Sequence, residues 1–186
     1  ADPVRPAAPR RRGAGGRISG TGRRLPHAVV SVVGCSLPAL AFLLTLGALG
    51  QLTAAGVPLQ QTLFTWGATS GFAVDAGFYF DAVTAVMCLV ITGIGTLIHV
   101  YSIGYMHGDA GYARYFAYLN LFLFFMLLLV LGSNLVLAFV GWEGVGLASY
   151  LLIGFWFQDP AKTAAGLKAF VVNRVGDTGF LLAMFM

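Results

Sequence analysis

One carboxylate stands alone in a long apolar stretch. Between Tyr115 and Gln158 the only formally charged residue is Glu143, within LAFVGWEGVGLASYLLIG, which runs from Leu137 to Gly154. A bilayer core is about 30 Å thick and about 20 apolar residues cross it as a helix, so this stretch predicts two crossings. Gly132, Ser133 and Asn134 mark the turn between them. Glu143 then falls about 13 Å into the second crossing, near the midplane, at a rise of about 1.5 Å per residue. A charge at that depth costs at least about 2.5 kcal/mol, so it needs a partner, a water cavity or a bound proton. Burial favours the neutral acid and a neighbouring cation favours the carboxylate, so a Glu placed here can load and release a proton. The plainer role is a protonated Glu that only hydrogen-bonds a neighbouring helix. Ionisable groups inside a membrane default to function, and the proton-exchanging role is therefore the expectation.

Four more ionisable residues follow in the last stretch: Lys162, Lys168, Arg174 and Asp177. Arg174 and Asp177 are three apart, share a helix face and can neutralise each other. Lys168 lies about 180° around the helix from Asp177, at about 100° per residue, so it must find a partner elsewhere. Glu143 on the preceding, antiparallel helix is the expected one. Lys162 lies near the surface and should snorkel. His99 interrupts an otherwise uncharged run, Ala82 to Met106, and stands between a polar packing role and a place in a proton path. Asp81, just before that run, reads as a helix N-cap rather than a catalytic acid.

The elements that must carry these groups follow from composition. With 58 % hydrophobic and 10 % charged residues, the chain reads as an all-α polytopic membrane protein. Fifteen Phe and twenty-five Gly suit helices packed closely in lipid. Five spanning helices are expected, over 28–50, 82–106, 115–131, 134–157 and 161–186, making residues 26–186 one membrane domain. Pro38 would kink the first unless a neighbour satisfies the carbonyl it frees. Between the first two, Phe72, Val74, Ala76, Phe78 and Phe80 alternate with Asp75, Gly77, Tyr79 and Asp81. That period of two predicts a short hairpin on the extracytoplasmic surface. Asp159 and Pro160 form a cap-and-restart signal for the last helix.

Residues 1–25 are rich in Arg, Gly, Pro and Ala and predict a basic, poorly ordered tail. No apolar core follows early enough for a signal peptide. Arg10, Arg11, Arg12, Arg17, Arg23 and Arg24 put the start of the first helix on the cytoplasmic side, so the net charge of +4 is no nucleic-acid signal. Cys35 and Cys88 lie in apolar runs and read as small packing residues. The sequence contains no CxxC, HExxH or phosphate-binding glycine loop, and nothing in it forms a recognisable redox-cofactor site.

Several consecutive segments carry a resemblance. HVYSIGYM from His99, YFAYLN from Tyr115, GWEGVGL from Gly141, SYLLIGFW from Ser149 and KAFVVNRVGD from Lys168 resemble the L subunit of bacterial NADH:quinone oxidoreductase, the counterpart of mitochondrial chain 5. The likeness runs from about Gly22 to the end and corresponds to the N-terminal portion of that subunit. It implies an antiporter-like transmembrane helix bundle and a fragment of a longer subunit. It also implies a proton-translocating role in the inner (plasma) or respiratory membrane, beside other membrane-arm subunits. Glu143 matches the family's proton-handling Glu, and Lys168, Arg174 and Asp177 match the charged helix after it. NADH, FMN, iron–sulfur clusters and quinone would belong to partner subunits. A cation/proton antiporter of the multisubunit sodium/proton type is the alternative from a different class. A third reading is a structural fragment that packs in the membrane and transports nothing.

Overall fold

The computed structural model describes residues 26–69 and 72–186. The basic tail expected over 1–25, with the Arg cluster on which the expected sidedness rests, lies outside the described residues. The described residues form five helices and one hairpin: α1 (His27–Ala55), β1 (Leu59–Thr69), β2 (Phe72–Phe80), α2 (Ala82–Tyr105), α3 (Tyr112–Leu131), α4 (Leu135–Ile153) and α5 (Pro160–Phe185). Helices α1 to α4 are each long and apolar enough to cross a membrane. The 26-residue α5 has the length, but its charges keep it out of that set. Outward side chains such as Leu43, Leu44, Val83 and Leu97 are exposed, as lipid-facing positions must be.

The helix ends differ from the sequence expectation where local chemistry decides. Helix α1 runs past Gly50 to Ala55, since nothing stops it until Gly56, whose φ of 66° closes the C-terminus by bonding its N–H to the Leu52 carbonyl. Helix α4 ends at Ile153 instead of Phe157, because the chain bends at Gly154. Asn134 caps α4 by accepting from the Leu137 N–H at 2.9 Å. Asp81 does the same for α2 through Thr84 at 2.8 Å, and Asp159 for α5 through Ala161 at 3.0 Å.

Pro38 sits buried inside α1 and has no N–H to give the Gly34 carbonyl one turn back. The Asn120 amide of α3 donates to that carbonyl at 3.2 Å and to Phe116 O at 2.9 Å. Gly34 makes this approach possible, since a Cβ there would meet the Phe116 ring at 2.6 Å.

The two strands pair antiparallel, from Leu59 opposite Phe80 to Thr69 opposite Phe72, with register shifts near Thr62 and Thr65. Ala76 and Phe80 are buried and Tyr79 is exposed, as the period of two predicts, but Gly77 on the other face is buried too, because the α3–α4 turn covers it. The hairpin docks on the α3–α4 turn through Ser133 N–H to Gly77 O at 3.1 Å and Asn134 Nδ2 to Asp75 O at 2.5 Å. At Gly77 a Cβ would stand 3.0 Å from both Gln61 O and Ser133 Oγ, so a side chain there would push the turn back by a few tenths of an ångström. At the opposite end the α1 N-terminus, the α2–α3 loop and the α4–α5 turn converge around Met106, Tyr112, Phe116 and Phe155. Cys88 is buried, Cys35 is half-buried and both are free thiols.

Candidate functional site

Helix α4 is held between α3 and α5. Its α3 side is lined with glycine. A Cβ on Gly141 would stand 2.6 Å from the Leu129 Cα, and one on Gly144 would overlap the Phe125 ring. Small residues four or fewer apart let the two backbones approach closely in the absence of a hydrophobic drive. The packing turns Glu143 toward α5, with 27 % of its side chain exposed.

There it pairs with Arg174, whose Nη1 meets the Glu143 Oε2. The same guanidinium reaches Asp177 from Nε to Oδ2 at 3.5 Å, but Nε makes no hydrogen bond. Asp177 is nearly fully buried, with 7 % of its side chain exposed, and its Oδ1 accepts a 2.7 Å hydrogen bond from the Trp142 indole N–H. The Arg174 guanidinium also lies over the Phe170 ring, 4.5 Å from its centroid. One permanent cation therefore serves two carboxylates inside apolar walls. With all three groups charged the cluster carries one negative charge in excess, and a single proton on either carboxylate neutralises it.

Lys168 is not Glu143's partner, contrary to expectation. The antiparallel register of α4 and α5 explains why. Trp142 meets Asp177, Gly146 faces Asn173 and Arg174, Tyr150 packs on Phe170 and Gly166 lies against Gly154. Continuing that register puts Lys168 level with about Leu152, roughly nine residues or about 13 Å along α4 from Glu143. It is exposed and, among the described residues, forms no ion pair. Lys162 pairs with Asp159 at 3.6 Å and lies 4.4 Å from the Trp156 ring centroid.

His99 is also apart from the cluster. It is 1 % exposed between α2 and α3, where its Nδ1–H donates to the Gly95 carbonyl at 2.7 Å. Among the described residues its Nε2 has no hydrogen-bond partner, and the neighbouring groove is lined by apolar residues such as Ile98, Leu119 and Leu123. Among the described residues no group of three or more His, Cys, Asp or Glu could hold a metal ion. The sequence reading missed Trp142. Its position next to Glu143 was visible, but the contact that matters depends on the α4–α5 register.

Two family models match the chain. The one described as NADH-Ubiquinone oxidoreductase (complex I), chain 5 N-terminus matches residues 66–116. The one described as NADH:quinone oxidoreductase/Mrp antiporter, TM, matches residues 132–186 and thus contains the whole cluster. NADH-quinone oxidoreductase subunit L of Mycobacterium tuberculosis is 54 % identical over 128 residues, 69 % of this chain and 20 % of that protein. The Escherichia coli subunit L is 50 % identical over 127 residues, 68 % of this chain and 21 % of that protein. NADH-ubiquinone oxidoreductase chain 5 of Allomyces macrogynus is 52 % identical over 128 residues, 69 % of this chain and 20 % of that protein. The chain spans about a fifth of the length of these relatives. The second family model, over the helices that carry the ion-pair cluster, puts the chain in the class of antiporter-like membrane proteins. Within that class the chain belongs to the subunit L and chain 5 family of NADH:quinone oxidoreductases.

Proposed function

We propose that this chain is the proton-handling part of a membrane subunit of NADH:quinone oxidoreductase. Electron transfer from NADH to quinone, through FMN and iron–sulfur clusters held by partner subunits, would drive protons across the respiratory membrane. The observation that carries this reading is the shared cation: Arg174 pairs with Glu143 and reaches toward Asp177 in the middle of the helix pair. Proton uptake by Glu143 removes the charge that holds Arg174, and the guanidinium then turns to Asp177. Proton loss draws it back. Each exchange moves a cation between two fixed carboxylates, which is a bistable element that neighbouring helices can bias. The first family model and the relatives' names favour this over the sodium/proton antiporter reading.

The test replaces Glu143 by Gln in the full-length subunit in its native membrane. NADH-driven acidification of inverted vesicles is recorded beside NADH oxidation. Acidification should fall several-fold more than oxidation. Equal, parental values for both would make Glu143 a packing residue. Transport in parent vesicles driven by a sodium gradient and indifferent to NADH would move the antiporter reading ahead.

A further inference from the structure

The arrangement around Asp177 poses a question of charge. Asp177 is the most buried member of the cluster, and Arg174, three residues earlier on the same helix, is its natural ion-pair partner. Yet the guanidinium is engaged with Glu143, and its Nε stands 3.5 Å from Asp177 without a hydrogen bond. A buried carboxylate left with so loose a cation needs another donor. The Trp142 indole supplies it at 2.7 Å. We propose that Trp142 is a positioning residue: by satisfying Asp177 with a neutral N–H, it leaves Arg174 free to serve Glu143.

The geometry makes the indole a fixed donor. Its ring stacks on Phe180 of α5, with centroids 6.2 Å apart and planes 15° from parallel, and Phe180 stacks in turn on Phe139 at 5.4 Å. Trp142 and Phe139 lie three apart on α4, so the aromatic ladder ties the indole to α5 at the level of Asp177. Trp142 also precedes Glu143 directly, so a rotation of α4 shifts the indole donor and the Glu143 carboxylate together. Among the described residues no other ion pair involves the cluster, and on α4 the next titratable group, Tyr150, lies about two turns along and packs on Phe170. Helix α3 meets this part of α4 with Phe125 and Leu129, and its own ionisable residues, Tyr112, Arg114, Tyr115 and Tyr118, lie toward the opposite end. On α5 the next charge is Lys168, more than a turn away and exposed.

This inference rests on Glu143 being the proton-exchanging group, and the test separates the two. In the full-length subunit assembled in native membranes, Trp142→Phe keeps a stacking ring and removes the N–H. Arg174 should then settle on Asp177, and Glu143 should hold its proton more tightly. The ratio of NADH-driven acidification to NADH oxidation should lose its acid limb at a pH about one value higher, a tenfold change in proton affinity. The same substitution in an Asp177→Asn background should move nothing, because no buried carboxylate remains to compete. Phe180→Leu, which loosens the indole, should shift the profile the same way and carries the test if Trp142→Phe does not assemble. A profile that keeps its parental midpoint, whatever its amplitude, overturns the proposal. So does an equal shift in the Asp177→Asn background. Parental pumping in Glu143→Gln sinks the underlying reading instead, and shows independently of either Trp142 result.

Discussion

At the scale of single residues, the chain uses side-chain amides to repair what its helix breakers undo. Pro38 costs α1 a backbone hydrogen bond, and Asn120 replaces it from α3. An unsatisfied buried carbonyl costs about 1–3 kcal/mol. Asn120→Leu should therefore destabilise the α1–α3 contact by that order. The same substitution in a Pro38→Ala background should cost much less, since the alanine backbone returns an N–H to the Gly34 carbonyl. A double-mutant cycle on thermal unfolding in detergent measures this, and equal costs in the two backgrounds would remove Asn120 from the role. The sequence announced half of this device. Pro38 in an apolar run said that a carbonyl would need help, while the helper lay 82 positions later, at a distance only packing could close.

At the scale of elements, glycine decides how closely helices meet, and its importance differs from site to site. A Cβ on Gly141 would run into the Leu129 backbone, whereas one on Gly95 would meet only the Leu123 Cδ1, the end of a flexible side chain, at 2.7 Å. Gly141→Ala should thus push α3 and α4 apart and cost about 1–3 kcal/mol or more, as overpacking does, while Gly95→Ala should be tolerated. The yield of assembled complex in solubilised membranes should rank the two in that order. The loop at the other end adds a pH-dependent clamp. Asp109 accepts from the Gly111 N–H at 2.6 Å and from the Trp156 indole at 3.1 Å. The Gly111 bond, then the Trp156 bond and the Arg114 charge, hold its carboxyl below the usual carboxylate range against slight desolvation. A depressed folded-state value means that the clamp's contribution is present above about pH 3.9, the ordinary Asp value, and is lost as pH falls through the lower folded one. Acid titration of Trp fluorescence should show a transition below about pH 3.9 that Asp109→Asn lacks. A transition unchanged in Asp109→Asn would mean that another group reports. The elements themselves were largely legible, because apolar length and the caps at Asp81, Asn134 and Asp159 are local signals. The ends of α1 and α4 were less so, since they turn on where a glycine closes the helix or bends the chain.

At the scale of the whole molecule, the question is which cation governs Glu143. The sequence names both Lys168 and Arg174, and helix angles alone favour Lys168, because Arg174 already has Asp177 one turn away. What the angles omit is axial register. Gly146 facing Asn173 and Arg174, and Gly166 lying against Gly154, slide α5 until Arg174 stands about one turn from Glu143, within reach of its long side chain, and Lys168 is about 13 Å off along the helix. At an effective dielectric of about 20, unit charges attract by about 4 kcal/mol at 4 Å and by only about 1 kcal/mol at 13 Å. Arg174 must therefore dominate. Its fork also lets it address two carboxylates, which an ammonium point charge does less well. In the full-length subunit Arg174→Gln should cut NADH-driven acidification several-fold relative to oxidation. Arg174→Lys should recover part of the loss, and Lys168→Gln should lower the ratio clearly less than Arg174→Gln does, in keeping with the weaker attraction at that range. Acidification and oxidation measured together in inverted vesicles decide the ranking. If Lys168→Gln proves as damaging as Arg174→Gln, then Lys168 acts on the proton path at a place other than this cluster, and the register argument does not describe how Glu143 is controlled.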